Sequence, residues 1–276
     1  MTTLYDPATV GFSPRLTTID RCQVFLMRAI GLQFGSGRLI LKGGMAMRAS
    51  VGSMRLTKDM DFDRAGTLSL SSLGTGLPRV LSVAAANAGV RLARTSVTKS
   101  TKTTVRARLE GLTIDGAELR FEIEVSGRET FGDECVKSEM VAPPSTYGIA
   151  PFNVMCYKNE TLAYQKIGAA MSNSRDVPRD ILDIHDLATL GADPVPLMAA
   201  RLRLEELNSM QGAVLQKLGA IGHDRMREEL APYLPVSIRD ELTEDRWIEM
   251  TLYVADAIET WIARAIETRP QPQNPS

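Results

Sequence analysis

The chain has 276 residues, 44% hydrophobic and 24% charged, with 32 Lys and Arg against 33 Asp and Glu for a net charge of -1. That suits one large domain or two small ones with a sizeable core, and the even balance argues neither for nor against an anionic partner. Cys22, Cys135 and Cys156 are odd in number and without CxxC spacing, which suits a reducing cytosol better than a disulfide framework or a zinc site, and they read as buried small apolar residues. No basic-then-apolar leader opens the sequence and no run of about 18 apolar residues occurs in it, so a cytoplasmic protein with no membrane association is expected.

In chain order, Thr17 to Asp20 offers a helix start, and Val24, Phe25, Met27, Ala29, Ile30 and Leu32 supply an apolar helix ending near Gly35. Leu39 to Leu41 reads as a short buried strand, Gly43 to about Ser50 as a helix, and Met60 to Phe62 as a strand. Leu77 to Gly89 reads as an Ala-rich helix closed by Asn87 and Gly89. Three strands follow, Val90 to Arg94, Thr103 to Leu109 and Glu118 to Val125, with turns at Gly111 and Asp115-Gly116. After a loop at Pro143-Pro144 and Gly148 to Pro151 the pattern is helical: Asn159 to Met171, Pro178 to Leu190, Pro196 to Gln216 and Glu244 to Glu267. The expected fold is α+β, a mixed sheet flanked by helices over residues 1–150 and a helical domain over 151–268. A proline-rich tail over 269–276 is expected to be disordered.

The chemistry concentrates between Leu39 and Asp63. Asp59-Met60-Asp61 places two carboxylates on one strand face, where they suit Mg²⁺ bridging to a triphosphate. Gly43-Gly44 ahead of a helix leaves backbone amides for phosphate. A third carboxylate is available from Phe121-Glu122-Ile123-Glu124-Val125, whose alternation turns Glu122 and Glu124 to the same side; the pattern does not choose between them. Lys166 falls on the apolar stripe of its helix, so its ammonium either snorkels to water or meets a nucleotide phosphate. Asp180 sits on the apolar side of a helix opened by Pro178, with Asp183 one turn on, and either complements the helix dipole or serves to orient Lys166 or meet the metal site. Arg91, Arg94, Lys99, Lys102, Arg106 and Arg108 form a basic run that is either a solvated face or a phosphate-contacting strip for RNA. His185 and His223 are isolated and read as structural.

Taken in order, these blocks resemble the AbiEii/AbiGii toxin family of nucleotidyltransferases, in the DNA polymerase β-like superfamily. Leu41-Lys42-Gly43-Gly44-Met45-Ala46-Met47-Arg48 is similar to the family's LKGGTAL, and Arg55 to Phe62 to its R-x-S-x-D-x-D-F. Leu162 to Ala169 is similar to LAEKLAA, and Arg179 to Leu187 to RDxYDLxxL. Met45 replaces a usual hydroxyl residue, and Thr57 stands where serine is common, keeping the hydroxyl that an antitoxin is thought to phosphorylate in some relatives.

The resemblance implies a toxin of a toxin-antitoxin or abortive-infection pair, moving NMP from an NTP to RNA, with the tRNA 3′ end the expected acceptor. It implies Mg²⁺ on Asp59 and Asp61 with Glu122 or Glu124. Nucleotide would be held by Lys42, Gly43, Gly44, Arg55, Thr57 and Lys166. Asp180, in the helical domain with Lys166, would support that lysine, Glu124 would position or deprotonate the acceptor hydroxyl, and a cognate antitoxin would be the protein partner. Two alternatives use the same residues. One is a nucleotidyltransferase with an aminoglycoside-type acceptor, which as a polycation would need an acidic wall. The other is a non-catalytic nucleotide- or partner-binding module, for which Met45 is the only sign.

Overall fold

A computed structural model describes residues 1–65, 68–128, 131–172 and 176–269. The expected tail over 269–276 lies outside them apart from Arg269. The chain divides into two compact units: Met1–Lys158 with Tyr233–Ser237, and Asn159–Pro232 with the residues from Ile238 onward. The division falls after Lys158 rather than at 150 because Phe152–Tyr157 is a strand of the first unit's sheet.

The first unit is built on eight strands: β1 (Thr2–Thr3), β2 (Leu39–Lys42), β3 (Asp59–Arg64), β4 (Arg91–Ser100), β5 (Thr104–Leu112), β6 (Glu118–Ser126), β7 (Val136–Ala142) and β8 (Phe152–Tyr157). They form one mixed sheet in the order β1-β7-β8-β2-β3-β6-β5-β4. At its centre β2 runs antiparallel to β3, and β3 runs parallel to β6. β7 and β8 went unread in the sequence because they flank the loop of Pro143, Pro144 and Pro151 and carry little apolar alternation, Val154 and Cys156 being the clearest marks of it.

Alternation decides which face of the sheet is core. Met60, Phe62, Phe121, Ile123, Val125, Val105, Ala107 and Leu109 are all buried and project to one side. Each large side chain so buried contributes about 1.5–3 kcal/mol. Helices α1 (Pro14–Phe34) and α3 (Leu70–Asn87) pack on each other and against the strands. Their approach is close at Gly76, where a β-carbon would stand 2.5 Å from the Phe34 ring. Helix α1 starts earlier than the sequence suggested, with Ser13 as N-cap accepting from Leu16 N–H and Pro14 in the first turn. Helix α3 also starts early, capped by Ser69, and runs through Pro78.

The helix after Gly43-Gly44 is only partly α. α2 (Gly43–Ala46) widens into a π-turn over Met47–Val51 that closes at Gly52. Arg48 in this turn is 1% exposed, with Nε donating to Asp20 Oδ1 at 2.7 Å and Nη2 to Asp20 Oδ2 at 3.1 Å. Tyr147 Oη donates to the same carboxylate at 2.7 Å, and the Tyr5 ring centre lies 4.1 Å from the guanidinium. Burial pushes both tyrosine hydroxyls well above their ordinary range. Burial opposes the charge on Arg48 but Asp20 outweighs it, so the guanidinium stays protonated. Asp20, in the sequence merely an early acid of a helix, thus ties α1 to the turn that follows the glycines.

The second unit contains α4 (Asn159–Ala170), α5 (Pro178–Thr189), α6 (Val195–Arg201), α7 (Leu204–Met210), α8 (Val214–Gly219), α9 (His223–Glu229) and α11 (Glu244–Glu267); α10 (Val236–Glu241) begins in the first unit's returning segment. The single helix expected over 196–216 is broken twice. Leu202 and Arg203 are extended, with Arg203 N–H bonded to Glu206, and Gly212 takes a left-handed φ of +78° while donating to Glu259. Helix α11 buries Trp247, Val254, Ile258, Trp261, Ile262 and Ala265, a helical stripe facing α5, α6 and α8. His223 bonds the Leu242 carbonyl and His185 packs on Tyr253, both structural uses. Among the described residues no helix is long and apolar enough to cross a membrane.

Two outcomes follow for the first unit. Replacing Asp20 by Ala leaves the Arg48 charge buried without its carboxylate and should lower stability by about 3–5 kcal/mol in urea titration, whereas Asp20→Leu with Arg48→Met should recover most of it. All three cysteines are buried, and burial raises the thiols of Cys22 to about 12 and Cys156 to about 11. A thiol reagent at pH 8 should therefore leave the native protein unlabelled and react fully in urea.

Candidate active site

On the face opposite the core, strand register assembles a charged array. Asp59 pairs with Glu122 and Asp61 with Glu124 across the parallel β3-β6 ladder. Register partners share a face about 4.8 Å apart, so two aspartates on one strand and two glutamates on the next form a block of four carboxylates. Two like charges at about 5 Å repel by roughly 3 kcal/mol at an effective dielectric of 20. The next strand supplies the compensation. Arg106 stands opposite Glu124 and Arg108 opposite Glu122 in β5.

Arg106 Nη2 meets Glu124 Oε2 at 2.5 Å and Nη1 lies 3.7 Å from Glu122, while Arg108 Nη2 meets Glu122 Oε1 at 2.5 Å. Its hydrogen bond to Glu124 raises the Arg106 pKa further, with Glu122 and Asp61 adding smaller attractions. Both glutamates are therefore held by arginines, and the geometry does not single out either as a third metal ligand. Among the described residues no three Asp, Glu, His or Cys side chains are gathered closely enough to hold a metal ion. The aspartates remain a pair of hard oxygen donors on one face, which suits Mg²⁺ in a site that draws its other ligands from substrate and water.

The glycine pair fits against these aspartates. Gly43 has φ of +66°, and a β-carbon there would lie 2.7 Å from Asp61 Oδ2. At Gly44 it would lie 2.9 Å from Thr57 and 3.0 Å from Arg55 Nη1. The turn is therefore glycine both for its backbone angle and because Asp61, Thr57 and Arg55 close on it. Thr57 and Arg55 are buried; the Thr57 hydroxyl lies 3.4 Å from the Asp59 carbonyl, and Arg55 Nη1 donates to the Leu56 carbonyl at 3.3 Å. Gln23, fully buried on α1, donates to the Thr57 carbonyl at 3.0 Å and reaches the Asp59 carbonyl at 3.5 Å, bracing the segment that enters β3.

Lys42 ends β2 opposite Asp61, yet its ammonium is 2.6 Å from Asp63 Oδ1. Met45, where the family has a hydroxyl, is wholly buried in the core. Two bulges in β4, after Leu92 and after Val97, bring Arg94 opposite Glu110 and Lys99 opposite Arg106. They keep Arg91, Arg94 and Lys99 on the array's face, although β4 lies at the outer edge of the sheet.

In the second unit, Lys166 is 7% exposed and its ammonium lies 2.5 Å from Asp183 Oδ2 and 3.3 Å from Asp180 Oδ1. Both carboxylates are fully buried on α5. The lysine does not snorkel outward; two acids hold it. Sequence reasoning gave roles to neither Asp63, Asp183 nor Gln23. The first continues the D-x-D alternation by one more step and the second lies one turn after Asp180, so both were visible in principle. Gln23 carries no signal, since a polar residue on a helix is ordinarily exposed.

Solved structures resemble this fold. A Helicobacter pylori protein, JHP933, superimposes with a TM-score of 0.59 at 17% identity over 92% of this chain and 96% of its own. A second Helicobacter pylori structure, described as a candidate nucleotidyltransferase, gives 0.55 at 16% identity over 92% and 98%. These likenesses establish the fold, and no curated protein matches in sequence. The model of the family described as "Nucleotidyl transferase AbiEii toxin, Type IV TA system" matches residues 24–263. A nucleotidyltransferase is thus the class that the family match shows. The chain belongs to the AbiEii toxin family, a membership that implies an NTP substrate and an antitoxin partner.

Two substitutions test this geometry. Gly43→Ala should lower stability by about 1–2 kcal/mol, from the left-handed backbone alone, and should depress transfer activity beyond that because the new methyl displaces Asp61. Lys166→Met removes the ammonium between two buried carboxylates and should lower stability by about 3–5 kcal/mol in urea titration, partly recovered by adding Asp183→Asn.

Proposed function

We propose that this toxin transfers a nucleotide from an Mg²⁺-bound NTP to the 3′ end of an RNA, with tRNA the acceptor. The observation that supports this most is the single charged face. Asp61 lies beside the Gly43-Gly44 turn with Asp59 on the same strand face, and the Arg91, Arg94 and Lys99 row lies on that face toward the sheet edge. A nucleotide needs the first group and an RNA backbone the second.

When bound by Asp59 and Asp61, Mg²⁺ supplies charge neutralisation on the triphosphate and polarisation of the α-phosphoryl group. The residues do the rest. The glycine amides and Lys42 orient the phosphates, and Arg55 and Thr57 fix the turn against which they lie. The RNA 3′ oxygen bonds to the α-phosphorus, the bond to the bridging oxygen breaks, and pyrophosphate leaves with that electron pair. Glu124, kept charged and fixed by Arg106, positions the attacking hydroxyl, whose proton passes to solvent. Lys166 is held by Asp180 and Asp183 within the second unit. The reaction belongs in the cytoplasm, where NTPs and tRNA meet, and the antitoxin is the partner that restrains it.

An aminoglycoside-type acceptor is less well supported, because the glutamates that could form an acidic wall are paired with Arg106 and Arg108. The deciding experiment incubates the protein with total tRNA, Mg²⁺ and each α-labelled NTP in turn. Label should appear on tRNA with one NTP or a subset, and Asp59→Ala or Asp61→Asn should reduce it on the order of 10²–10³-fold or more. A folded protein that labels no tRNA with any NTP would refute the tRNA assignment. Replacing Arg91, Arg94 or Lys99 by Gln should weaken RNA binding for all sequences alike. The same replacements should flatten its salt dependence by about 0.7 in log-log slope for each phosphate that is no longer neutralised.

A further inference from the structure

Helix α1 turns one amide side chain into the core of the first unit. Gln23 is fully buried, between Cys22, Val24 and Leu26, which are buried as well. Its Nε2 donates to the Thr57 carbonyl at 3.0 Å and reaches the Asp59 carbonyl at 3.5 Å. Its Oε1 is also buried and has no hydrogen-bond partner. The amide has only one sensible orientation, since turning it over would set Oε1 against two carbonyl oxygens.

An amide oxygen buried without a donor is destabilising, and that penalty offsets what the bond to Thr57 contributes. A methionine of similar length would fill the same space with neither effect, so Gln23 gives the fold little net stability. An unsatisfied polar group inside a core calls for another reason to be there. The strand pairing supplies one. β2 ends opposite Asp61, so Asp59 enters the sheet with a ladder neighbour in β6 alone. The segment ahead of it is fastened from behind, by Leu56 N–H to the Tyr233 carbonyl at 2.8 Å and then by Gln23. Its front meets the glycine turn, with Thr57 2.9 Å and Arg55 Nη1 3.0 Å from where a Gly44 β-carbon would stand.

We propose that Gln23 is a positioning residue for Asp59. Its two N–H donors hold the Thr57–Asp59 backbone at one distance from the Gly43-Gly44 turn, the distance at which a divalent cation on Asp59 and Asp61 meets nucleotide phosphates. The proposal rests on the metal-dependent transfer proposed above. Gln23 acts through the backbone of Asp59 rather than on substrate.

The test compares Gln23→Met, which keeps the length of the side chain and removes both donors, with Asp59→Ala and the double variant. The urea midpoint of Gln23→Met should stay within about 0.5 M of the intact chain, because the lost bond and the lost orphan oxygen offset each other. Amide hydrogen exchange should quicken about tenfold over residues 55–60 and stay unchanged in α3 and β5. Binding of the Mn²⁺ complex of ATP, followed by water proton relaxation, should weaken about tenfold in Gln23→Met, with no further loss when the change is added to Asp59→Ala. Transfer should fall about 10–100-fold at limiting Mg²⁺ and recover in part when Mg²⁺ is raised, which a mere loss of folded protein would not do. Unchanged exchange over residues 55–60, losses of Mn²⁺-ATP affinity that add in the double variant, or a Gln23→Met chain that unfolds or exchanges faster throughout would overturn the proposal. Should the intact chain bind no Mn²⁺-ATP, the metal-nucleotide reading fails, while exchange over residues 55–60 still decides whether Gln23 holds the segment.

Discussion

The parallel pairing of β3 with β6 is the constraint on which the rest of the first unit depends. Because Asp59 meets Glu122 and Asp61 meets Glu124 in register, one face of the sheet concentrates four carboxylates while the other stacks Met60, Phe62, Ile123 and Val125 into the core. A slip of one residue would exchange the faces, placing acids in the core and apolar side chains in water. Register and function are thus a single property here. The repulsion inherent in the array calls for basic residues beside it, and β5 supplies them as Arg106 and Arg108.

Buried ion pairs recur in both units and share a logic. Arg48 with Asp20 fastens the π-turn after the glycines to α1, and Lys166 with Asp180 and Asp183 fastens α4 to α5. Burial of such pairs gives little net stability, since desolvation opposes the attraction. What they provide is a defined position, because each charge has one low-energy place to be.

The fold class and the family were legible in the sequence, more so than the partners its charged residues take. Asp59, Asp61, Gly43 and Gly44 could be read because strand alternation and helix entry are local rules. Family membership and the mixed α/β architecture agree with the resemblance carried by those motifs. Three things resisted. The partners of Glu122 and Glu124 are the very arginines that looked like a separate basic run, and only the β5-β6 register brings them together. The breaks at Leu202-Arg203 and Gly212 interrupt an apolar periodicity that by itself reads as one helix. Gln23 and Asp20 are polar residues turned inward from α1, and nothing local distinguishes them from residues turned to water.

The bulges of β4 have a consequence beyond the placement of charge. Ten residues long, this strand is paired on one side only, and such an edge is a template on which a strand from another molecule could grow. Two irregularities in its hydrogen-bond ladder spoil the regular spacing that an incoming strand would need, and Arg91, Arg94 and Lys99 surround it with like charge. The same residues that would meet an RNA backbone therefore also protect the protein from self-association into extended sheet. Selection for solubility and selection for an anionic substrate would favour the same side chains at this edge.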